Sequence, residues 1–75
     1  MSNLTKLSSG QSAKVISIQG GIRFIQKLQN LGIREGVVIK KERGMFKFGP
    51  IIVKVGRTQI ALGRGMASKI IIELL

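Results

Sequence analysis

The sequence predicts a mainly β fold, a small antiparallel barrel of about five strands with one inserted α-helix. Three observations carry that expectation. Seventeen of the 75 residues are Ile or Val, side chains that favour the pleated, half-buried surface of a strand. Ten glycines punctuate the chain at intervals that suit short elements joined by tight turns. Only one stretch has helical apolar spacing, so the parallel pairs of a doubly wound sheet would lack their crossover helices.

The elements follow in order. Leu4 and Leu7 open the chain and Ser8-Ser9-Gly10 turns it into a first long strand over 11–18. There Ala13 and Val15 share one face and Ile16 and Ile18 the other, a change of parity that suggests burial on both sides or a bend. Gly20-Gly21 then releases the chain into a helix over 22–31, with Phe24, Ile25, Leu28 and Leu31 forming one apolar stripe. Gly32 stands where a helix stops on a left-handed residue, and Ile33 can fold back on Leu28. The two glycines before the helix lack the GxxxxGK[ST] and GxGxxG spacings of phosphate loops.

A second strand is expected over 37–43, with its charged end leaving the core. A loop over 44–50 follows, then a strand over 51–55. Gly56-Arg57 reads as a two-residue type II′ hairpin turn into a strand over 58–62. A glycine-flanked turn over 63–67 leads to the last strand, 69–75. No linker, repeat or low-complexity tract divides the sequence, so residues 1–75 are expected to form a single domain. An SH3-like barrel with a helix after its first strand accommodates this order, and an OB-like barrel is the alternative.

Composition excludes much chemistry. Thirteen Lys and Arg stand against three Glu and no Asp, a formal charge of +10, and histidine and cysteine are absent. Disulfides, zinc sites, thiol nucleophiles and Ser-His-Asp arrangements therefore cannot be built. Glu35, Glu42 and Glu73 are far apart in sequence, and no acidic run supplies converging oxygens for a hard cation. No catalytic residues, no metal ligands and no cofactor are expected, and the protein is not expected to be an enzyme. Neither a secretory signal nor a membrane-spanning apolar run is visible. The expected location is cytoplasmic, with recruitment to the inner face of the cell membrane as a further option.

Two groups of residues are candidates for binding. Gly44-Met45-Phe46-Lys47-Phe48-Gly49-Pro50 places two of the three aromatic rings and a thioether around a lysine, a composition suited to docking on a partner. The competing reading folds one ring under the loop to close the barrel mouth. Arg57 and Arg64 would guide such a partner electrostatically. The densest basic cluster, Lys40, Lys41 and Arg43, would join Lys47 and Arg57 in an anion-binding surface for nucleic acid, with Phe46 and Phe48 stacking on bases. Exposed edge strands leave room for strand addition or self-association.

The glycine and apolar spacings together resemble the FeoA family, ferrous iron transport protein A. The resemblance begins with Leu4-x-x-Leu7-x-x-Gly10 and Ala13-x-Val15-x-x-Ile18, and centres on Leu28-x-x-Leu31-Gly32-Ile33-x-x-Gly36. It continues through Gly49-Pro50, Ile60-Ala61-Leu62, Arg64 and Ala67-x-x-Ile70-x-Ile72. It implies an SH3-like barrel that partners the membrane iron transporter FeoB, binding and modulating it without catalysis. The same barrel resembles the C-terminal domain of repressors of the diphtheria-toxin-repressor type, of which only the free-standing role is expected to carry over.

Overall fold

A computed structural model describes residues 2–42 and 49–75. Its strands are β1 (Ser2–Asn3), β2 (Ser12–Ile18), β3 (Val38–Lys41), β4 (Ile51–Val55), β5 (Thr58–Leu62) and β6 (Ile70–Leu74). A 3-10 turn (Leu4–Lys6), helix α1 (Ile22–Asn30) and the one-turn helix α2 (Arg64–Ala67) complete the order. The strands form one antiparallel sheet in the order β1-β6-β2-β3-β4-β5. No pairing joins β1 to β5 among the described residues, so the sheet is curled around the core without closing.

The parity change read in β2 is a β-bulge. Val15 pairs with Ile72 and Ser17 with Ile71, leaving Ile16 as the extra residue. Val15 and Ile18 therefore both turn inward although they are three apart, and Ile18 pairs with Ile70. A bulge of this kind bends its strand and increases the local twist, which is how a single sheet comes to enclose its own core. Alternation places Ile39 of β3, Ile51 and Val53 of β4, and Ile60 and Leu62 of β5 in the same buried cluster, with Leu4, Leu7, Leu28, Ile33 and Ala67 closing it. Among the described residues that interior holds no polar or charged side chain.

Helix α1 ends as expected, in a Schellman motif. The Gly32 N–H donates to the Gln29 carbonyl at 2.9 Å and the Ile33 N–H to the Leu28 carbonyl at 2.9 Å, with Gly32 at φ +93°. Both Leu28 and Ile33 are fully buried. At the other end, Gly20 at φ +127° sits beneath the Phe24 ring, which a Cβ there would meet at 2.9 Å. Gly20 thus serves ring packing, while Gly21 is the extended N-cap of α1.

Four expectations need correction. The apolar stripe of α1 is narrower than its sequence suggests, because Leu31 lies past the last helical turn and is 39% exposed. The turn over 63–67 is a helical turn, stabilised by Ala67 donating to the Gly63 carbonyl and by burial of Ala67. A sixth strand, β1, pairs Ser2 and Asn3 with Ile72 and Ile71. Finally, the end of β3 does not leave the core at Lys41, as shown below.

Leu28→Ala should lower stability by about 2 to 5 kcal/mol through an unfilled cavity, whereas Leu31→Ala should change it by less than about 0.5 to 1 kcal/mol. Gly32→Ala should cost about 1 to 2 kcal/mol for forcing a side chain into the left-handed region. Urea midpoints at unchanged slope check all three.

Candidate partner-docking surface

The basic residues singled out in the sequence are distributed by strand register. In β3 the alternation that buries Ile39 turns Lys40 outward and Lys41 inward. Lys40 is opposite Ser12 on β2 and Lys54 on β4, and Lys54 in turn is opposite Gln59 on β5. One row, Ser12-Lys40-Lys54-Gln59, therefore crosses four strands on the outer face. Lys14, opposite Val38 and Glu73, flanks that row on the same face. Two ammonium groups directly opposite each other on an exposed sheet repel, and among the described residues neither lysine is held in an ion pair.

Lys41 has a different task. Its Nζ donates to the Leu7 carbonyl at 2.8 Å, and its backbone exchanges bonds with Gly10 and Gln11. The half-buried stem continues the inner face of β3, and the ammonium satisfies a carbonyl that follows the 3-10 turn. The anion-binding set read from sequence is thus divided between the two faces: Lys40 lies outward, Lys41 ties β3 to the N-terminal turn, and Arg43 and Lys47 lie outside the described residues.

Arg57 and Arg64 are also separated. Gly56, at φ +59°, and Arg57 form the two-residue turn that pairs Val55 with Thr58, as a type II′ turn requires. The same register pairs Ile51 with Leu62 at the far end. Arg57 and the start of α2 at Arg64 therefore bracket β5, whose five residues span about 17 Å. The segment carrying Met45, Phe46, Lys47 and Phe48 lies outside the described residues; Ile51, which opens β4, stands opposite Leu62 at the same end of the β4–β5 ribbon as Arg64.

Other features are structural. Lys69 holds its ammonium 5.1 Å from the Phe24 ring centroid, a cation–π contact that ties the start of β6 to α1. Among the described residues no three His, Cys, Asp or Glu gather into a metal-binding group, and no helix is long and apolar enough to cross a membrane. An open hollow of about 360 Å³ beside β1 and β6 is lined by Ser2, Ile72, Glu73 and Leu74, and offers one carboxylate. Sequence reasoning missed Lys14 and Lys54 as neighbours of Lys40. The signal was present in the strand parity, but joining it across β2, β3 and β4 needs the register.

Comparison with known proteins places this fold and sequence in company. The model of the FeoA domain family matches residues 2–74. A Fe(2+) transport protein A of Methanocaldococcus jannaschii is 36% identical over 64 residues, which cover 85% of this chain and 76% of the relative. The crystal structure of an iron uptake regulatory protein, FeoA, superposes with a TM-score of 0.86 at 33% identity, over 97% of this chain and 95% of that one. FeoA of Stenotrophomonas maltophilia, solved with zinc and described as a procaryotic SH3 domain protein, superposes with a TM-score of 0.81 at 27% identity, over 95% and 88% of the two chains.

Removing the two adjacent lysines should have opposite consequences. Lys41→Ala, which leaves the Leu7 carbonyl without its donor, should destabilise by about 1 to 3 kcal/mol. Lys40→Ala should be neutral or stabilise by about 0.2 to 1 kcal/mol by relieving Lys54, and most of that gain should vanish in high salt. Thermal unfolding at two ionic strengths distinguishes them.

Proposed function

Because the chain belongs to the FeoA family, a family of ferrous iron transport, we propose that it is a non-enzymatic accessory protein that binds the FeoB transporter on its cytoplasmic side and modulates it. The observation that carries this reading is the family match over residues 2–74 on a domain whose described interior is wholly apolar. With polar chemistry confined to the outside, a surface contact is the mode of action this architecture supports best. The formal charge of +10 favours an acidic face on the partner and accelerates encounter with it.

The proposed contact is built on Met45, Phe46, Lys47 and Phe48, joined by Arg64, which follows β5 at the end where Ile51 enters β4. Rings and a thioether supply the desolvated centre, and cations form its rim. Arg57, at the other end of the ribbon, meets the same partner only if the interface runs the length of β5. Modulation follows if the contact is tighter in one state of the transporter than in another, since a ligand shifts an equilibrium only by its differential affinity. The ferrous ion is cargo of the transporter in this scheme.

Calorimetric titration into full-length cognate transporter in detergent, at low and high salt, tests the reading. Saturable binding that persists in high salt and weakens about tenfold or more in the Phe46→Ala, Phe48→Ala double variant is expected. Absence of binding, together with salt-sensitive binding of the same protein to RNA or DNA, would contradict it and favour the polyanion alternative.

A further inference from the structure

Among the described residues, the outer edge of β5 is open and unguarded. Ile52 directs its carbonyl toward β3, where it accepts from the Glu42 N–H at 2.9 Å. Its partner on β5 is Ala61, so the peptide groups of Ala61 point away from β4, and those of Gln59, two residues on, do the same. Among the described residues no backbone hydrogen bond satisfies either pair, and β5 stands at the end of the strand order. Two donors and two acceptors thus line one exposed edge.

Sheet edges are ordinarily protected by charge, proline, a bulge or extreme shortness. β5, Thr-Gln-Ile-Ala-Leu, has none of these, and its register with β4 runs without interruption over five residues. The opposite edge is capped by the two residues of β1. On the inner face, Ile60 is the most exposed of the buried core side chains, at 7%, so a little of its own apolar surface remains for a neighbour to cover.

We infer that β5 receives an extended segment of another, acidic polypeptide by antiparallel strand addition, with hydrogen bonds to the peptide groups of Gln59 and Ala61. Charge selects this occupant over a second copy of the chain. Each copy carries +10, and an antiparallel β5–β5 pair centred on Ile60 would bring Arg57 of each copy toward the Gly63-Arg64 end of the other. The row on the outer face fixes where the acidic residues belong. Lys40, Lys54 and Gln59 are consecutive across β3, β4 and β5, so the next place in that row lies on the added strand, about 10 Å from Lys54. A carboxylate opposite Gln59 is within reach of the long lysine side chain and relieves the Lys40–Lys54 repulsion. An apolar residue opposite Ile60 completes the core edge. The recognised pattern is therefore an alternation of acidic and apolar residues, whichever protein supplies it.

The probe is the blocked peptide Thr-Val-Glu-Val-Glu-Val-Thr, titrated into isotopically labelled protein while amide shifts and hydrogen exchange are followed. The expected result is protection of the Gln59 and Ala61 amides by this peptide and no protection by its Thr-Val-Lys-Val-Lys-Val-Thr counterpart. Ala61→Pro removes an outward N–H and leaves the β4 ladder intact, so it should weaken binding about tenfold or more; Gln59→Pro serves if that variant does not fold. Absence of protection at millimolar peptide overturns the proposal. So does equal binding to the proline variants, or protection that grows with protein concentration alone, which would make a second copy the occupant. None of these outcomes depends on whether FeoB is the protein's partner.

Discussion

A single sheet of short strands has to bury one of its own faces, and the bulge at Ile16 is the constraint on which that depends. β2 is the strand that pairs with both β3 and β6. Without the extra residue, strict alternation would turn Ile18 to the side opposite Val15 and remove a side chain from the region where Ile70 needs one. With it, the two halves of β2 present Ala13 and Val15, then Ile18, to one enclosed space, and the strand bends between them. The bent strand delivers the chain to Gly20 and α1, which covers the core with Leu28 and, after the Schellman turn, with Ile33. Lys69 over the Phe24 ring secures the same junction from the β6 side.

Once the interior is filled by aliphatic side chains, the polar chemistry is displaced outward, and the domain becomes a basic surface on a dry scaffold. Lys41 is the instructive exception, because its stem follows the inner face while its ammonium satisfies the Leu7 carbonyl. Its neighbour Lys40 faces Lys54 across the ladder at a cost in stability. That cost is small, and it is the kind of cost an anionic partner removes. The same register that opposes the lysines turns peptide groups of β5 away from β4, where no described residue pairs them, so the charged row and that edge adjoin.

Much of this architecture was legible in the sequence because local and tertiary preferences agree. The strands at 51–55 and 58–62 and the turn between them were read at their observed bounds, since β-branched alternation and Gly-Arg turn chemistry point to one register. Gly32 marked the end of α1 for an equally local reason. β1 was invisible because Ser2 and Asn3 have no strand pattern and gain their pairing only from β6. The turn at α2 contains Gly63 and Gly65, poor helix formers, and is helical through the bond to Gly63 and the burial of Ala67. Residue type identified the basic surface, but not its division. Lys40 and Lys41 look alike in sequence, and parity assigns them to opposite faces. Arg57 and Arg64 carry the same charge, and hairpin geometry sets them at opposite ends of β5.

A docking contact with FeoB of the kind proposed would engage the surface of the protein and leave its core as it is. Hydrogen exchange of the protein, free and bound to full-length cognate FeoB in a lipid nanodisc, tests it most directly. Added protection is expected in 43–50, reaching along β5 only if the interface runs its length, with the slow amides of β2 and β6 unchanged. Protection spread through β2 and β6, or none in 43–50, would contradict it.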